Sequence, residues 1–286
     1  MATESGKFWR LGLGYALAVA ALVFAARYLG VQGPQFLKAI AAIDPSRLLL
    51  AFALFALSLV FNAAAFASAN RAFGVGVTGP RLSAVWLATL LAKYVPVGIG
   101  HVLGRGLMLS GFGVSSRTTV VVGVLEQGFS LSICAAIALA ASALIYRPDC
   151  ALWIGAAALL AVVVLIAAAL LIGKRSTVKV VPLAASLFGY GLAMLPYAGA
   201  YLLLVEPADT LGFIQALFAG TVAGVLAILV PGGLGVRESV IASMSSTAQA
   251  STVLAGVVAA RALILASECV GTLAGHAWLR RSGAGR

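Results

Sequence analysis

Apolar runs of about 20 residues recur along the whole chain, at 11–29, 48–69, 118–145, 151–173, 181–205 and 251–279. A run of that length is what an α-helix needs to cross the hydrocarbon core of a bilayer. In water such segments would have no polar face to present, so the chain is read as an all-α polytopic membrane protein. Connecting segments are short, and residues 1–286 are taken as a single transmembrane domain. Apolar residues make up 62% and charged residues 9% of the chain, whereas a soluble domain carries about 25% charged residues. An ordinary soluble enzyme, a disordered chain and a disulfide scaffold are excluded. The first run follows Lys7 and Arg10 like a signal peptide, but it is 19 residues long and lacks a convincing cleavage site, so it is read as an uncleaved first span. Within 30–47, Phe36, Ile40 and Ile43 recur at helical spacing, which fits a short interfacial helix or a partly ordered loop.

Two further regions, 83–109 and 211–246, are apolar but interrupted by proline and glycine. The interruptions resemble each other. Leu91-Ala92-Lys93-Tyr94-Val95-Pro96-Val97-Gly98-Ile99-Gly100 aligns with Leu226-Ala227-Ile228-Leu229-Val230-Pro231-Gly232-Gly233-Leu234-Gly235, identical at six of ten positions at an offset of 135. The same offset sets Glu126 opposite Arg261, while Arg105 and Glu238 match across a two-residue gap. Two related halves, roughly 48–145 and 181–279, therefore carry opposite charges at corresponding places.

Lys+Arg number 19 and Asp+Glu 8, for a net charge of +11. The basic residues lie mostly at the ends of apolar runs, where they meet phospholipid headgroups, so a nucleic-acid partner is not supported. Their placement also bears on the broken regions. If each is a re-entrant hairpin and the N-terminus is cytoplasmic, Arg71, Arg81, Arg117, the Lys174–Lys179 loop and Arg280-Arg281 all fall inside, with Glu206 and Asp209 outside. If both cross fully, the Lys174–Lys179 loop moves outside and the acidic loop inside. Six spans plus two hairpins obey the positive-inside rule better than eight spans. Three crossings between the hairpins make them enter from opposite faces, which is the inverted repeat of many transporters.

Proline ends the incoming helix of each broken region, and glycine permits close backbone approach. Irregular backbone at membrane depth survives only inside protein or beside a wet cavity. The loops, at Pro96, Gly98, Gly100 and Pro231, Gly232, Gly233, Gly235, are thus candidate binding elements, with His101 a candidate lining residue. Lys93, Arg105, Glu126, Arg237, Glu238, Arg261 and Glu268 lie at or near membrane depth, where an unpaired charge costs about 2.5–3.5 kcal/mol on the insertion scale. Inverted copies would bring Arg105 to Glu238 and Glu126 to Arg261; the rival pairing joins Arg105 to Glu126 and Glu238 to Arg261. Neither His101 nor His276 has metal-ligand spacing, Cys134, Cys150 and Cys269 form no CxxC pair, and no nucleotide loop or nucleophile elbow is present. No enzyme, metal or cofactor is expected.

The stretches Tyr94-Val95-Pro96-Val97-Gly98-Ile99-Gly100 with Arg105, Glu126, and Val230-Pro231-Gly232-Gly233-Leu234-Gly235-Val236-Arg237-Glu238 resemble the lysylphosphatidylglycerol synthase transmembrane-domain family. The likeness runs through nearly the whole order of apolar segments. Val97 stands where a second glycine would be typical, and Gln127 follows Glu126 where the family often has Arg. The resemblance implies lipid translocation across a bacterial inner membrane, with membrane lipids and lipid-synthesis enzymes as partners. It also implies no aminoacyl transfer, because no soluble transferase domain follows Arg280-Arg281. The expected function is a flippase or lipid-transport protein with a midplane headgroup cavity. A secondary transporter of a small solute and a non-transporting scaffold of a lipid-synthesis complex are the alternatives.

Overall fold

The computed structural model describes residues 41, 43–94, 100–146, 178–227, 233, 235–244 and 250–282. The expected spans 11–29 and 151–173, the helical turn at 35–43 apart from Ala41 and Ile43, Cys150, and the loop residues Pro96, Gly98, Pro231 and Gly232 lie outside the described residues. Among the described residues there are eight α-helices and no strand: α1 (Pro45–Ala72), α2 (Gly79–Ala88), α3 (Gly100–Ser110), α4 (Ser116–Tyr146), α5 (Val180–Val205), α6 (Thr210–Leu226), α7 (Val236–Met244) and α8 (Ala250–Arg281). A 3₁₀ turn at Leu90–Tyr94 follows α2. Helices α1, α4, α5 and the 253–281 part of α8 are long and apolar enough to cross a membrane. Their outer surfaces are correspondingly greasy, with Leu57, Val60, Val124, Phe188, Leu195 and Leu273 all exposed. Such a surface suits lipid, and the chain is a multi-pass α-helical membrane protein.

Asp44 starts α1. Its carboxylate accepts from the Ser46 hydroxyl and, at 2.7 Å, from the Ser46 N–H, with Pro45 at the first helical position. The Ser46 side-chain bond, followed by the backbone one, holds this carboxyl below the usual carboxylate range. Helix α1 then packs along α5 through small residues, among them Ala51, Ser58 and Ala65 on one side and Gly189, Ala193 and Ala200 on the other, the kind of seam that brings apolar helices together in lipid. The two run antiparallel. Arg47 pairs with Glu206 at one end, the Ser58 hydroxyl donates to the Ala193 carbonyl at 2.9 Å in the middle, and Lys179 N–H donates to Ala72 O at 2.9 Å at the other.

Phe73, Val75 and Val77, just before α2, share a cluster with Leu109, Phe112 and Val114, at and after the end of α3, and with Leu279 of α8. Phe213 near the start of α6, Ile241 of α7 and Val253 of α8 share another cluster with Leu48, Leu204 and Val205, at the opposite end of the seam. Helices α6 and α7 are antiparallel neighbours: a methyl at Gly220 would meet Arg237 O and Ile241 at 2.9 Å, and one at Gly224 would meet Arg237 Cβ at 3.5 Å. Helix α7 has nine residues, about 14 Å, so it reaches only halfway across a hydrocarbon core.

Shifted by 135 residues, α1 becomes 180–207, α2 becomes 214–223, α3 becomes 235–245 and α4 becomes 251–281; each falls on α5, α6, α7 or α8 in turn. Contacts cross between the halves, with α2 packed on α8 and α6 packed on α4. At the first of these, a Cβ on Gly275 would stand 2.7 Å from both Ala84 O and Ala88 N. Gly220→Val and Gly275→Val should each lower the melting temperature in detergent, since overpacking costs about 1–3 kcal/mol. Gly191, whose added methyl would meet nothing within 4 Å, is the control. Gly191→Ala should hold or raise stability by up to about 1 kcal/mol, and a loss equal to the other two would contradict the packing.

Candidate functional site

A cavity of about 300 Å³ lies between the halves, lined from α1, α2, α4, α5, α6 and α8 and by Gly233, Arg237 and His101 of the broken regions. Several lining residues match at the 135 offset: Leu59 with Met194, Asn62 with Tyr197, Trp86 with Thr221, Leu90 with Val225, and Glu126 with Arg261. Glu126 and Arg261 each lie about 16 Å into their helices, near the middle of the bundle.

The first half builds a closed ion pair. Arg105 on α3 pairs through Nη1 with Glu126 Oε2, and both side chains are buried. The other carboxylate oxygen accepts from Trp86 Nε1 at 2.7 Å, and Arg105 Nε donates to Thr89 Oγ1 at 3.2 Å. The guanidinium also lies over the rings of Phe66 and Trp86, at 4.9 and 5.5 Å. Helix α3 packs directly on α4, so these partners are chain neighbours held in register by a short turn.

The second half is looser. Glu238 Oε2 accepts from Gly235 N–H at 2.8 Å, closing the start of α7, and Glu238 Oε1 lies 3.8 Å from Arg261 Nε. Gly233 and Gly235 both take positive φ, 64° and 84°, a conformation that glycine adopts without strain. A methyl on Gly233 would come within 2.6 Å of Gly224 O, so Gly233 lies tight against α6. The Arg261 guanidinium lies 6.0 Å from the Tyr94 ring.

Hydrogen bonds also join the halves across the cavity. Glu268 of α8 accepts from Lys93 Nζ at 2.5 Å and from the Tyr94 hydroxyl at 3.0 Å, both from the 3₁₀ turn before the first loop. The expected pairs Arg105 with Glu238 and Glu126 with Arg261 do not form. Arg105 with Glu126 and Glu238 with Arg261 pair within their own halves, because α3 packs on α4 and α7 packs on α8, while the cavity lies between the halves. Arg261 and Glu268 do share a helix face, both buried and both on the cavity wall.

Arg237 donates from Nη1 to the Tyr197 hydroxyl at 2.7 Å. His101 Nε2 lies 3.4 Å from Gln127 Nε2, and Gln127 is exposed near the middle of α4. Gly100 opens α3 beside them. Trp86, Thr89, Tyr94, Asn62, Ser130 and Tyr197 belong to the site and were not selected by sequence reasoning. Asn62 and Tyr197 were legible in principle, as polar groups within apolar runs at the repeat offset. Cys134 is buried 3.9 Å from the Met194 sulfur, and Cys134 and Cys269 are unbridged. Among the described residues no three His, Cys, Asp or Glu side chains gather as a metal site. No family model matches the chain, and a search of curated proteins returns no match.

The pairing gives a direct test. In a double-mutant cycle followed by melting temperature in detergent, Arg105→Gln and Glu126→Gln should couple strongly, because each single change strands a buried charge at a cost of about 3–5 kcal/mol. Glu126→Gln with Arg261→Gln should come out close to additive. Stronger coupling in the second pair would restore the pairing across the halves.

Proposed function

We propose that this protein is a lipid-transport protein of the flippase type, hosting a polar headgroup in the cavity between two inverted halves. In this reading α2–α3 and α6–α7 are re-entrant hairpins entering from opposite membrane faces, and six spans surround them. The antiparallel run of α1 and α5 supports it, because a full crossing at 83–109 would make those two helices parallel if α4 and 151–173 each cross once. Charge supports an orientation. Arg71, Arg81, Arg117, Lys179, Arg280 and Arg281 gather at the end where α8 finishes, while Asp44, Glu206 and Asp209 lie at the other. The first end is then cytoplasmic, with both termini on that side.

The observation that carries the lipid reading is Gln127. It lines the cavity and is exposed within a long apolar helix, about 17 Å from the helix start. An amide facing hydrocarbon is costly even with His101 beside it, whereas one at a lateral portal meets a passing headgroup. A volume of about 300 Å³ accommodates a headgroup and leaves acyl chains in the bilayer. The resemblance of the two Pro/Gly loops to the lysylphosphatidylglycerol synthase transmembrane-domain family points the same way. Such a protein works at a bacterial inner membrane.

Purified protein in liposomes should speed the passage of headgroup-labelled phospholipids between leaflets, and Gln127→Trp should slow it several-fold without lowering the melting temperature. No movement across a broad lipid panel would overturn the reading, and uptake of a soluble solute without lipid movement would replace it with a solute carrier. Topology has its own test in a cysteine-free background. Single cysteines replacing Thr78 and Ser115 should both label from the cytoplasm and one replacing Ala208 only from outside; Thr78 and Ser115 on opposite sides would eliminate the first hairpin.

A further inference from the structure

The charges around the cavity do not cancel. Among the described residues, the buried or cavity-lining cations are Lys93, Arg105, Arg237 and Arg261, and the carboxylates are Glu126, Glu238 and Glu268. Each carboxylate is engaged by its own cation: Glu126 by Arg105, Glu238 by Arg261 and Glu268 by Lys93. Arg237 has no carboxylate within ion-pair distance among the described residues. Its Nη1 donates to the Tyr197 hydroxyl, the Tyr201 hydroxyl also lies beside the guanidinium, and its buried Nε has no acceptor.

That arrangement is poor for an empty protein and good for one holding an anion. Phenol oxygens satisfy N–H groups but carry no charge, Glu238 beside it is already held by Arg261, and a desolvated guanidinium is costly until it meets a negative group. The base of the side chain is fixed, because the Arg237 backbone and Cβ lie against Gly220 and Gly224 of α6. Tyr197, on α5, is steadied by the Thr221 hydroxyl at 3.5 Å and by ring contacts with Phe55, Tyr201 and Phe218. A guanidinium fork pre-positioned in this way matches two oxygens of a phosphate ester. The start of α7 adds a partial positive charge nearby.

We propose that Arg237 with Tyr197 is the subsite for a singly charged phosphate ester, and that Arg105 and Arg261 are wall charges held by their own glutamates. The proposal builds on the lipid reading above and names the ligand group, since one phosphodiester balances the single surplus cation. The same chemistry is carried by a phospholipid headgroup and by a soluble phosphate.

The test follows the melting temperature of the full chain in detergent against dihexanoylphosphatidylglycerol, dihexanoylglycerol and inorganic phosphate. Dihexanoylphosphatidylglycerol should stabilise the wild type saturably and dihexanoylglycerol should not. Arg237→Gln should weaken that binding about tenfold or more, with Arg237→Lys between. Equal affinity in Arg237→Gln and wild type overturns the subsite. Should Arg237→Gln fail to fold, Tyr197→Phe decides: it removes the hydroxyl that holds the guanidinium fork and should weaken binding several-fold, so unchanged affinity there overturns the subsite. Inorganic phosphate binding as tightly as the short-chain lipid would keep the subsite and remove its lipid. No response to dihexanoylphosphatidylglycerol, with headgroup passage in liposomes intact, would remove the subsite and keep the lipid reading.

Discussion

Alanine and glycine along α1 and α5 let two apolar helices lie close together, antiparallel, from Arg47 beside Glu206 to Ala72 beside Lys179. The remaining helices take their places from this seam. Because it is antiparallel, the segments that follow α1 and α5 start from opposite ends of the bundle. Helix α2 packs on α8, and α6 packs on α4. Close approach in lipid depends on small side chains, which explains why glycines sit where α2 meets α8 and where α6 meets α7.

Buried charge is the second constraint, and locality decides how it is met. A carboxylate in a water-poor bundle needs a cation and hydrogen-bond donors together. Glu126 obtains both from Arg105 and Trp86, and Glu268 from Lys93 and Tyr94. The first set is closed off by the rings of Phe66 and Trp86. The second bridges the two halves beside the cavity and includes a half-exposed lysine. Opening the cavity at that edge would therefore have to break the bridge from Glu268 to Lys93 and Tyr94, while the Arg105–Glu126 pair could remain intact.

Much of the architecture was legible because the signals were long. Apolar runs at 48–69, 118–145, 181–205 and 251–279 became helices α1, α4, α5 and α8, extended by one to three residues at most ends. The interruptions in 83–109 and 211–246 were legible from proline and glycine, and the offset of 135 carries through the element bounds. The candidate charges were found because a charge in an apolar run stands out. Their pairing was not legible, since a symmetry argument knows nothing of which helix packs on which. Trp86, Tyr94 and Tyr197 were missed for a simpler reason: aromatic residues in an apolar run look like core until their polar tips are placed.

Whether Gln127 meets lipid headgroups separates the proposed lipid carrier from a solute carrier and from a scaffold, so the most direct measurement is made there. A photo-crosslinking amino acid at Gln127, irradiated in native membranes and followed by mass spectrometry, should yield a phospholipid adduct through the headgroup or its glycerol. The same group placed at Phe188, on the exposed surface of α5, should yield adducts on acyl chains only. Headgroup adducts at Gln127 are the predicted result. Acyl-chain adducts alone at both positions, or no lipid at Gln127, would contradict the account.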